Sequence, residues 1–131
     1  MHLTATFKVE SWDENEIQQG LDGRKSTHAV VKQSVSGDAT GTGLAHWLMA
    51  YRPDGTADYL GLQHVEARIG DLSGTFACGS RGTFDGTTAD ARLDILEGSG
   101  TGDLTGIAGS GTFSAPHGDA ATVTLEYTID S

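Results

Sequence analysis

The sequence predicts an all-β fold, a small antiparallel eight-stranded β-barrel with at most one short helical turn. Three observations carry that prediction. Apolar residues recur at every second position through most of the chain, the period of a strand with one buried face. Turn-forming residues interrupt the alternation at intervals of about a dozen residues, the spacing of an all-β sandwich or barrel. Glycine is abundant, with 19 residues against two prolines, yet β-branched and aromatic residues are spread along the whole chain, which a disordered glycine-rich segment lacks. At 131 residues the chain reads as one domain over 1–131, long enough to bury a core.

Taken in order, "LTATFKVESW" places Leu3, Ala5, Phe7 and Val9 on one face and Thr4, Thr6, Lys8 and Glu10 on the other, the mark of a half-buried strand. Residues 13–25, "DENEIQQGLDGRK", are polar and turn-rich and read as a surface connection. In "STHAVVKQSVSG", Ala29, Val31 and Val35 share a face that Gln33 interrupts. In "TGTGLAHWLMAYR", Leu44, His46, Leu48 and Ala50 fall on one side and Trp47, Met49 and Tyr51 on the other. The first side is read as the lining. The second is read as an apolar patch on the exterior, of the kind that signals oligomerisation.

Pro53, Asp54 and Gly55 then supply turn chemistry, a fixed φ followed by a residue that tolerates a positive one. "ADYLGLQHVEARIG" resumes as a strand with two candidate inward sets, Tyr59, Gly61, Gln63 and Val65 or Leu60, Leu62, His64 and Glu66. A turn at Gly70–Asp71 leads into "LSGTFACGSRGTF", with Leu72, Phe76 and Cys78 in phase. A further hairpin brings Ala91, Leu93 and Ile95 into alternation with Asp90, Arg92 and Asp94, and the last strand aligns Val123, Leu125, Tyr127 and Ile129. No segment has the pattern of an amphipathic helix. Closure removes the two unpaired edges that an open sheet of such strands would expose.

The glycine-dense stretch "GSGTGDLTGIAGSGTF", residues 98–113, lacks the strand–helix context of a dinucleotide fingerprint, and no Gly-Lys-Ser/Thr completes a phosphate loop. Strands flank it, so it is no linker. It reads as a compact crossover in which Leu104 and Ile107 plug one end of the barrel from a single helical or 3₁₀ turn. Together with "LMAYRPDGTADYLGLQHVEARIGDLSGTF" and "ATFKVESWDE", the stretch resembles bacterial proteins of the domain of unknown function 3224 family over nearly the whole chain. That resemblance implies a small eight-stranded barrel like those of allene oxide cyclase and dirigent proteins. It implies no established reaction. It also implies a carboxylate at position 63 and an imidazole at position 80, where this chain has Gln63 and Ser80. These hydrogen-bond but do not shuttle protons near neutral pH, and the comparison favours Tyr59, Gly61 and Gln63 as the inward set.

Candidate chemistry sits where polar residues break the apolar lining. Gln33, Gln63, Cys78, Ser80 and Arg81 are the candidate ligand-binding residues. His46, Glu97, Tyr59 and Tyr127 are the candidate catalytic ones, since proton transfer needs groups that titrate. Each has a plainer alternative: His46 as a hydrogen-bonded core histidine, Cys78 as a small core hydrophobe, Arg81 on the outer wall or at a subunit interface. His64 and Glu66 lie two apart on one strand face without a third ligand at recognisable spacing, so no metal site is expected, and no cofactor. His2 and His117 read as solvated. No serine sits in a nucleophile turn.

With 18 acidic residues against 8 basic and a net charge of −10, nucleic acid and anionic membrane are excluded as expected partners. No apolar run approaches a bilayer span, no basic-then-apolar leader opens the chain, and the single Cys78 forms no internal disulfide. A cytoplasmic location is the expectation, with a small apolar molecule as partner and a homo-oligomer, a dimer by default. Two function classes follow: a small-molecule-binding barrel acting as a cofactor-independent isomerase or cyclase, or a non-catalytic ligand-binding or structural barrel.

Overall fold

The alternation becomes eight antiparallel strands in the computed structural model, which describes residues 1–116 and 120–129. They are β1 (His2–Gln19), β2 (Lys25–Gly37), β3 (Ala39–Tyr51), β4 (Ala57–Ile69), β5 (Leu72–Phe84), β6 (Ala89–Ile95), β7 (Ile107–Ala115) and β8 (Ala120–Ile129). Each pairs with its neighbours in sequence, and β1 pairs with β8 from His2↔Glu126 to Lys8↔Ala120, which closes the barrel. Helical structure among the described residues is confined to two 3₁₀ turns, Leu21–Gly23 and Gly102–Leu104. Among the described residues no helix is long and apolar enough to cross a membrane.

The interior is filled by alternate side chains of every strand, among them Phe7, Val31, Trp47, Val65, Phe76, Leu93, Phe113 and Val123, all buried. An eight-stranded barrel is just wide enough for side chains to fill it, and here they do so unevenly from end to end. At the end holding the start of β1 and the close of β8, the crossover between β6 and β7 folds inward. Leu104, the last residue of its 3₁₀ turn, is fully buried, and Ile107 is buried beside it. Gly74 and Gly100 make this plug fit: a Cβ at Gly74 would collide with the Thr101 carbonyl oxygen, and one at Gly100 with that of Leu104. Thr101 is then held to β5, its N–H donating to the Thr75 carbonyl at 2.8 Å.

Two expectations are corrected. Residues 13–19 belong to β1 rather than to a connection. Beyond Lys8 the strand has left β8, but it continues as a ribbon paired with β2 from Ser11↔Lys32 to Gln19↔Lys25. This ribbon is largely solvent-exposed, so it carries no alternation by which a strand is read. The second correction concerns β3. Gly43, Ala45, Trp47 and Met49 face inward, while Leu44, His46, Leu48 and Ala50 face out. Tyr51 follows the inward set and is half-buried at the rim. The exterior apolar residues on this side are therefore Leu48, Leu60 and Leu62, and neither Trp47 nor Met49.

Candidate functional site

Opposite the plug, the described residues leave the barrel open. The strand ends there carry small residues on one side, Ala89, Ala115, Ala120 and Ala121, and large ones on the other, Trp47, Met49, Tyr59 and Phe84. The alanines leave unfilled what the facing aromatics cannot reach. The result is a cavity of about 120 Å³ with a predominantly apolar lining that also includes Phe7, Phe113 and Gln33. Trp47 is its central wall, with ring centroids 5.6 Å from Tyr59, 5.7 Å from Phe113 and 5.8 Å from Trp12. These tilted and edge-on geometries are the ones aromatic pairs prefer.

A polar layer forms the floor. Gln63 Nε2 donates to Gln33 Oε1 at 2.6 Å, and Trp47 Nε1 donates to Ser80 Oγ at 3.1 Å. Gln33 lines the cavity and spends its oxygen on Gln63. Two buried polar atoms among the described residues have no partner, Tyr59 Oη and Gln63 Oε1. Burial, with the Asp90 charge adding to it, pushes the Tyr59 phenol far above its ordinary range.

The rim is built by an irregularity in β1. The β1–β2 register slips between Val9 and Ser11, and such a bulge re-aims the side chains beyond it. Odd positions face inward up to Val9; after the slip Trp12 and Glu14 lie opposite Val31 and Ala29, both buried. Trp12 thereby joins the cavity wall. Glu14 stands behind it and accepts three hydrogen bonds: from Trp12 Nε1 at 2.9 Å, from Thr27 Oγ1 at 2.7 Å and from Tyr51 Oη at 2.7 Å. Partial burial raises the Glu14 carboxyl, but the bonds from Thr27, Tyr51 and Trp12 and the Lys25 charge outweigh it and hold the group below its ordinary range. Burial, then the bond to Glu14 and its charge, pushes Tyr51 up to about 12.

The residues singled out from the sequence scatter around this site. Tyr59 and Gln33 line the cavity, and Gln63 and Ser80 lie in its floor; Tyr59 and Gln63 belong to the β4 set that includes Gly61, and that set faces inward. Gln63 and Ser80 bond to Gln33 and Trp47 respectively rather than to each other. Cys78 is buried in the core, its thiol pushed up to about 12 by burial and then by Asp94. Tyr127 is buried at the plugged end, where its backbone binds Met1. Arg81 and Glu97 are exposed on the outside. His46 does not line the barrel; it lies on the outer wall, 3.1 Å from His28 through Nδ1 and stacked on its ring. His64 is outside as well, His2 is exposed beside Glu126, and His117 lies outside the described residues. Among the described residues no cluster of three or more His, Cys, Asp or Glu side chains is arranged to hold a metal.

Sequence reasoning missed Trp12, Glu14 and Tyr51. The signal was present as a phase slip in "FKVESWDE": the apolar spacing is two from Phe7 to Val9 and three from Val9 to Trp12, which marks a bulge.

Known proteins resemble this architecture throughout. The family described as "Protein of unknown function (DUF3224)" matches residues 3–127. A crystal structure of a protein with unknown function from the DUF3224 family of Shewanella oneidensis MR-1 superposes with a TM-score of 0.76, covering 100% of both chains at 17% identity. No curated protein matches the chain.

Proposed function

The chain belongs to the DUF3224 family, and from that premise we propose that it is a small-molecule-binding barrel whose ligand, an apolar ring-sized molecule, sits in the open end. One observation carries the reading: a cavity of about 120 Å³ walled almost wholly by apolar side chains, at one end of a barrel whose other end is filled. An engineered apolar cavity of roughly 150 Å³ admits benzene. Well-packed interiors leave few voids larger than a water molecule, so empty space of this size beside the open rim is the feature to explain.

Binding is favoured over proton-transfer catalysis by the chemistry of the lining. Gln33 and Gln63 do not titrate near neutral pH, and Tyr51 and Tyr59 hold their protons far above it. An isomerase or cyclase of this design would have to act by confining its substrate, which lowers a barrier through orientation alone.

Both tryptophans of the chain, Trp12 and Trp47, line the cavity, so intrinsic fluorescence reports on this site. Titration with toluene or benzyl alcohol is expected to change that emission saturably and to raise the melting temperature, as any ligand of the folded state does. Ala121→Leu and Ala115→Leu, which fill the space from adjacent strands, are expected to abolish both responses. Absence of both responses with either probe at about 1,000 times the micromolar scale, millimolar, would leave the purely structural barrel as the answer.

A further inference from the structure

The rim carries a charge preference. Trp12 and Tyr51 line the cavity, and both donate to the Glu14 carboxylate, at 2.9 and 2.7 Å. Glu14 therefore lies one side chain beyond the apolar space, on the face of β1 that the bulge turns inward. Among the described residues, the cations at this end are largely engaged elsewhere: Arg52 with Asp58 and the Thr56 hydroxyl, Arg24 with Asp22. Lys25 is the exception near Glu14, its ammonium 5.2 Å above the Tyr51 ring. Glu16 shares the polar groove next to Tyr51, and the chain as a whole carries a charge of −10.

Resting on the binding reading above, we infer that the barrel selects amine-bearing aromatic molecules, the ring in the cavity and the ammonium at the rim in the field of Glu14, and disfavours aromatic carboxylates. The three donors already on Glu14 fix its orientation without exhausting it, since a carboxylate offers about four lone-pair sites. They also keep it ionised. A ring held between Trp47 and the alanines borders Trp12 and Tyr51, so an ammonium it carries at the rim is one side chain away from Glu14 and is attracted across that gap. A carboxylate in the same place meets Glu14 and the negative field of the whole chain.

Benzylamine, benzyl alcohol and benzoate share a ring and differ in charge, so their relative affinities test the inference against the intact chain. Expected is benzylamine tighter than benzyl alcohol by about fivefold, the strength of a partly exposed ion pair, with benzoate weaker than the alcohol by a similar factor. The amine's advantage should fall towards one in Glu14→Gln and shrink in high salt. It should grow about twofold, the weight of one exposed charge pair, in Lys25→Met, a variant that leaves Glu14 and its donors in place and so decides the matter should Glu14→Gln fail to fold. Benzoate binding as tightly as benzylamine, or an advantage indifferent to Lys25 and to salt, overturns the charge preference while the binding barrel stands. Failure of all three, the neutral alcohol included, removes the binding barrel itself.

Discussion

The two ends of this barrel are made from the same eight strands and reach opposite outcomes. At one end a crossover sends Leu104 and Ile107 into the interior, where both are essentially inaccessible. At the other, four alanines face a wall of aromatics and a cavity of about 120 Å³ remains. A barrel's strand number sets the width of its interior; it does not set what fills it. Filling comes from outside the regular alternation at the plugged end, and its omission leaves a cavity at the open one. Between them the Gln33–Gln63 and Trp47–Ser80 bonds form a floor, where these four side chains are buried in two hydrogen-bonded pairs.

That contrast can be broken by mutation. Leu104→Ala empties the plug and is expected to cost about 2–5 kcal/mol, the range for a large buried aliphatic cut to alanine, read from the midpoint of urea unfolding. Met49→Ala at the cavity wall should cost less, about 1–2 kcal/mol, because the side chain borders space that already exists and loses mainly its transfer term. Equal losses at the two positions would mean that the ends are packed alike, and the contrast would be lost.

The smallest effect is electrostatic. Glu14 is held below its ordinary range in the folded barrel, with 4.5 as the reference value. Its contribution is therefore complete above about pH 4.5 and is lost as the pH falls through the lower folded value. In Glu14→Gln the stability curve should be correspondingly flatter below pH 4.5, measured as unfolding midpoints between about pH 3 and 6. An identical acid limb in both proteins would mean that the rim contacts do not favour the ionised form.

Much of the fold was legible because alternation is a local signal. In β6 and β8 one face is apolar and the other carries Asp, Arg, Thr or Glu, and in β2 and β5 the buried face is mostly apolar, so the buried side declares itself. The plug was legible for a similar reason: Leu104 and Ile107 are large side chains in a run of small ones. The candidate site was less so. Gln33, Tyr59, Gln63 and Ser80 were found as polar or aromatic breaks on the lining, whereas Trp12 and Glu14 lay beyond a bulge that shifts which positions face in. His46 was assigned to the interior because "GLAHWLMAY" is apolar on both faces and gives no local ground for choosing between them.

The chain's own order of residues determined that alternate side chains would roll into one closed sheet with one end stoppered, because the two-residue period and the turn chemistry act between near neighbours. Which side of β3 lies inside was decided only by the assembled barrel. Trp47 is paired in register with Gly61, which leaves room for its indole, and its Nε1 reaches the Ser80 hydroxyl on β5. A side chain of that size is placed by the partners and the gap that three strands together provide, and a single strand's pattern contains neither.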